Sequence, residues 1–120
     1  MGGNIDYTYL DTLSLTLNKG GGTGNNSKNV NIDVSQYKII VLDFDCGGEH
    51  HSEMFVNIYN SVSTDSWLYV RNYNPDAQWG SHAVGEVDVK AGFMKQLYMA
   101  GTNHGTEENR TYVLKVYGLK

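Results

Sequence analysis

Apolar and polar residues alternate with a period of two along most of this chain, which is the pattern of half-buried strands. Residues 13–17 read Leu-Ser-Leu-Thr-Leu, with three leucines on one face. Residues 5–10 alternate more weakly through Ile5, Tyr7 and Tyr9. Residues 30–34 repeat the pattern with Val30, Ile32 and Val34. Residues 37–45 are apolar on both faces in their first half, as a strand covered on two sides is, so this segment is placed at the centre of a sheet. Residues 53–60 set Met54, Val56 and Ile58 against Phe55, Asn57 and Tyr59. Residues 66–73 set Leu68 and Val70 against Trp67, Tyr69 and Arg71. Residues 84–89 set Val87 and Val89 against Glu86 and Asp88, and residues 93–100 carry Phe93, Leu97 and Met99 on one face. Residues 111–118 set Tyr112, Leu114 and Val116 against Val113, Lys115 and Tyr117. Gly, Asn, Asp and Ser separate these segments, and only residues 61–65 leave room for one helical turn. The eight short strands from residue 13 onward, without helices between them, predict an all-β antiparallel β-sandwich, jelly-roll-like in its spacing, with a closed barrel as the alternative.

One stretch interrupts the pattern. Residues 18–27 hold four glycines and three asparagines and bury nothing apolar. They read as a flexible connector, so residues 1–27 are expected to be an N-terminal strand with its joint, and residues 28–120 the sandwich head.

Composition narrows the classes. The 120 residues suit one domain, and 18% charged with 12% aromatic residues exclude a disordered chain. A single cysteine, Cys46, makes no internal disulfide, so packing alone carries the fold. A net charge of −4 without clustered Lys or Arg argues against nucleic acid and anionic membranes as partners. No apolar run is long enough to insert in a membrane, and no signal peptide is recognisable.

Reactive constellations are sparse. Glu49, His50, His51 and Glu53 carry ligand-type side chains, but neighbours in an extended chain point opposite ways, so a solvated hairpin is expected and no metal. Asp43, Asp45 and Gly47 echo a calcium loop that lacks its closing glutamate. Cys46 lies among carboxylates, which blunt a thiol, and no nucleophile elbow or phosphate loop is present. No catalytic residue and no cofactor are assigned, and the chain is expected not to be an enzyme.

The richest region is residues 67–82, which combine Trp, Tyr, Asn, Asp, Gln and Arg. Rings that stack on a sugar face, with amides and charges that pair with hydroxyls, suit a carbohydrate, and Trp and Tyr also anchor protein interfaces. Asn74-Pro75-Asp76 marks a turn, which puts Trp79 on a loop, although Trp67 and Trp79 could equally cap the core. The candidate ligand-binding residues are Trp79, Tyr73, Asn74, Asp76 and Arg71, with His82, Asn103 and His104 as rim contacts. The polar loop of residues 101–110 is expected near one of the other loops, because sandwich loops cluster at two ends.

The chain end, Tyr112-Val113-Leu114-Lys115-Val116-Tyr117-Gly118-Leu119-Lys120, resembles the terminus of bacteriophage tail-fibre and minor structural proteins. Residues 30–38 resemble the start of such C-terminal heads. The resemblance implies a β-sandwich head at the tip of a trimeric virion appendage, assembled in the bacterial cytoplasm and recognising host surface carbohydrate or other virion proteins. The leading expectation is a non-enzymatic receptor-binding head. A structural decoration or baseplate component without small ligand is the alternative, and a small polysaccharide hydrolase ranks below both.

Overall fold

In the computed structural model the strands run β1 (Tyr7–Leu17), β2 (Gly22–Asp33), β3 (Ile39–Cys46), β4 (Glu49–Val56), β5 (Ser66–Tyr73), β6 (Ser81–Lys90), β7 (Phe93–Asn103) and β8 (Arg110–Leu119). Residues 6–46, 49–73 and 81–120 are described. The strands form two antiparallel four-stranded sheets, ordered β1-β8-β3-β4 (sheet A) and β2-β7-β6-β5 (sheet B). The nested pairs β1·β8 and β2·β7 fold the chain back on itself, while β3–β4 is a hairpin and β5–β6–β7 a meander. Two separate sheets, and not one closed barrel, enclose the core.

The inner faces follow from alternation. Ile40, Leu42 and Phe44 of β3, Tyr112, Leu114 and Val116 of β8, and Leu97 and Met99 of β7 are fully buried. Phe44 and Tyr112 meet edge to face with centroids 6.3 Å apart. As the two-sided apolar run predicts, β3 is an interior strand, flanked by β8 and β4.

Three departures have local causes. Residues 22–27 are strand, not connector: β2 pairs with β7 from Gly22↔Asn103 to Asn29↔Gln96. This is an edge strand beside β1, so Gly24 and Asn26 replace apolar residues. Asn26 Nδ2 donates to the Ser14 carbonyl at 2.9 Å, and a Cβ on Gly24 would lie 3.2 Å from Leu17. Residues 7–17 are built into sheet A, with Leu13 and Leu17 in the common core. Second, β4 begins at Glu49, so His50 and His51 stand in a strand, and residues 57–65 form no helix. Third, a bulge in β7, where Val89↔Met94 gives way to Asp88↔Gln96, turns Met94 inward and leaves Phe93 exposed. The β6–β7 turn needs positive φ at both positions, and Ala91 (φ 51°) and Gly92 (φ 80°) supply it.

Candidate functional site

Strand directions bring the β1–β2 turn, the β7–β8 loop and the adjoining ends of β5 and β6 to one end of the sandwich. On the outer face of sheet B at that end, register builds two rows. Thr23, Thr102 and His82 lie across β2, β7 and β6, and Asn25, Ala100, Val84 and Arg71 lie across all four strands. The central side chains are small, so the face sinks there into a trough of about 690 Å³. Ala100 and Val84 floor it, and Asn25, Thr23, Thr102, Arg71 and His82 rim it.

The rim is held in place. The Arg71 guanidinium lies over the Tyr69 ring, 5.4 Å from its centroid. Glu86 pairs in register with Tyr69. Burial raises its carboxyl above the usual range, and the nearby Arg71 pulls it part of the way back. His82 and His104 are both exposed, with ring centroids 6.1 Å apart. The β1–β2 turn is tied to the β7–β8 loop: Gly20 N donates to Gly105 O at 2.6 Å, Gly21 N to Asn103 O at 2.7 Å, and Lys19 N to Asn109 Oδ1 at 3.0 Å.

Of the residues expected from the sequence, Arg71, His82 and His104 come together here, and Tyr73 ends β5 in register with His82. Asn74, Asp76 and Trp79 lie outside the described residues. Asn103 is a correction. It shares the inner parity of Leu97 and Met99 and is fully buried. Its Nδ2 donates to the Leu17 carbonyl at 3.3 Å and the Glu108 carbonyl at 3.0 Å, and its Oδ1 accepts from Gly105 N at 3.0 Å. It pins the loop that carries His104 and presents nothing to a ligand. Thr23 and Asn25 were missed because residues 18–27 read as a connector, and Thr102 because residues 101–110 read as a loop, whereas β7 continues to Asn103; the alternation of β7 through Ala100 and Thr102 was the available signal.

The other constellations lie elsewhere. Asp43 and Asp45 are on the outer face of sheet A, and His50 bridges them, with Nδ1 3.5 Å from Asp43 Oδ1 and Nε2 3.5 Å from Asp45 Oδ2. No group of three metal-ligating side chains occurs among the described residues. Cys46 is buried on the inner face, and burial pushes its thiol up to about 12. Asp45 and Glu49 add to the rise, while Asn72 and Arg110 oppose it. The Asn72 amide is near enough to favour the thiolate, yet its Nδ2 makes no hydrogen bond of ordinary geometry among the described residues.

The chemistry at the trough is polar: hydroxyls, amides, an imidazole, one planar cation and a small apolar floor. No protein family matches the chain, and neither does any curated protein or solved structure.

Proposed function

We propose that the chain is a non-enzymatic binding module that holds a carbohydrate in the trough on sheet B. The trough itself supports this reading most strongly. Its volume is in the range of small-molecule sites, and its lining suits a sugar ring. Ala100 and Val84 offer an apolar floor for the C–H face of a pyranose. Thr23, Asn25 and Thr102 offer hydroxyls and an amide for its hydroxyl groups, and Arg71 offers paired donors. Trp79 and Tyr73, from the same stretch of chain, remain candidates for stacking. The chain-end resemblance supports placing such a module at a phage tail tip, built in the bacterial cytoplasm and carried on the virion.

A glycan array tests the proposal with the wild type, Arg71→Ala, Trp79→Ala and Ala100→Trp. Ala100→Trp fills the floor of the trough without touching the core. The expected result is binding to a defined glycan set that Ala100→Trp abolishes and Arg71→Ala weakens about tenfold or more, the loss of a charge-assisted hydrogen bond. Binding that survives Ala100→Trp removes the trough from the function, and a wild type blind to every glycan overturns the proposal. Unchanged binding by Trp79→Ala removes only that residue from the site.

A further inference from the structure

We infer that a second copy of this chain covers the outer face of sheet A, giving a back-to-back dimer. At the end of the sandwich remote from the trough, two rows cross this sheet without a charge. One is Tyr7, Leu119, Ile39 and Val56; the next is Tyr9, Tyr117, Val41 and Met54. Tyr7 is 47% exposed, Tyr9 55%, Met54 58% and Val56 70%. Both Tyr7 and Tyr9 pack edge-on against Tyr117, at 6.1 and 6.0 Å between centroids, so the patch is a pre-ordered surface.

Two observations choose a second copy as the occupant. The first is area. Half-exposed tyrosines and largely exposed Met and Val side chains, with the partly covered Leu119, Ile39 and Tyr117 around a buried Val41, present roughly 500 Å² of apolar surface per copy. That is near the upper limit for a monomer's largest patch, and two copies together would bury about 1,000 Å², the least that a specific interface needs. The second is charge complementarity. The next row across the sheet is Thr12, Lys115, Asp43 and Ser52. A two-fold axis along the strands, between β8 and β3, lays β8 over the partner's β3 and β1 over the partner's β4. Tyr117 then faces the partner's Val41, Tyr9 faces the partner's Met54, and Lys115 faces the partner's Asp43. Within these three rows each charge meets its opposite, and each ring meets an aliphatic side chain. Aligned packing of two sheet faces about 10 Å apart is a common solution for sandwiches. The inference is independent of the proposed function, since it uses the other sheet. It places the two troughs on opposite outer surfaces of the dimer.

Sedimentation velocity across a concentration series tests it. The wild type is expected to sediment at twice the chain mass. Val56→Glu, at an exposed position, is expected to sediment as a monomer with unchanged circular dichroism. Lys115→Glu and Asp43→Lys, each alone at low salt, are expected to weaken the dimer about tenfold by setting like charges face to face. Mixed together they should re-form a dimer, because every pair in the mixed species is again opposite in sign. A monomeric wild type, a trimer, an assembly untouched by Val56→Glu, or a mixture that stays monomeric each overturns the inference.

Discussion

The outer faces of the two sheets differ although their inner faces are alike. Sheet A turns tyrosines, Met54 and Val56 to solvent at one end. Sheet B turns threonines, Asn25, His82 and Arg71 to solvent at the other end, around a floor of small side chains. Both inner faces are sealed by the same kinds of aliphatic and aromatic residues. Folding requires only that one face of each strand be apolar, so the composition of the opposite face is free to serve something else. An outer face that is apolar without need of the fold, and another that is concave and polar, are therefore where the proposed assembly and the proposed binding site rest.

This division holds only if the outer faces do little for the fold, and substitution can break it. The largest expected effect lies inside sheet A. Gly118 lets the Tyr37 ring lie directly on the β8 backbone, and a Cβ there would stand 2.6 Å from each ring Cδ. Tyr37 is buried and has no room to retreat. Gly118→Ala is expected to cost about 3 kcal/mol of stability in chemical denaturation. Val56→Glu and Asn25→Ala, on the two outer faces, are expected to change it by no more than about 0.5 kcal/mol. The measurement belongs at concentrations low enough to keep the chain monomeric, because a dimer would add its own stabilisation. Outer-face losses as large as that of Gly118→Ala would end the distinction.

A smaller effect separates two neighbours at the rim of sheet B. Asn103→Ala strands two carbonyls and one amide that its side chain now satisfies, and is expected to cost about 2 kcal/mol. His104→Ala, one residue on and exposed, is expected to cost less than about 0.5 kcal/mol and to act only on ligand binding. Equal losses from the two substitutions would mean that the rim is part of the fold.

Much of this was legible in the chain, and the failures have physical reasons. The strand count and the inward residues of β5 and β8 follow from period two alone, because a half-buried strand cannot alternate otherwise, while β3 was legible as an interior strand from its two-sided apolar run. The first half of β2 was not legible: an edge strand whose inner side meets the backbone and leucines of β1 carries Gly24 and Asn26, and no apolar signal survives. Phe93 was assigned inward because a bulge cannot be read from alternation, and the residues beyond it change side. At the site, Arg71 and His82 share one face, as their strand patterns require. Asn103 was misplaced for a different reason. Its polarity suggested solvent, while its parity with Leu97 and Met99 already placed it inside, and parity prevails because buried carbonyls at the ends of β1 and the β7–β8 loop need a donor.

The smallest expected effect sits where an outer face does bear on the fold. Asp88 lies in the row Trp67, Asp88, Gln96 of sheet B, beyond the trough, and is only 7% exposed. Its Oδ1 is buried with no hydrogen-bond partner among the described residues. Burial raises its carboxyl above the ordinary aspartate range, Asp65 adds to the rise, and Lys90 and Lys95 only partly offset it. A carboxyl whose value is raised on folding favours the folded state while protonated. That contribution is complete below the ordinary aspartate range near 4 and is lost as pH rises through the raised value. At neutral pH the folded chain therefore carries a poorly solvated anion. Asp88→Asn, which keeps the shape and removes the charge, is expected to stabilise the chain by about 1 kcal/mol at pH 7. The advantage should shrink as pH falls through the raised value and vanish below the ordinary one. Denaturation of both forms across that pH range measures it. A difference that stays flat with pH would show that the Asp88 charge costs the fold nothing, and would leave the whole outer face of sheet B as idle for folding as the floor of its trough.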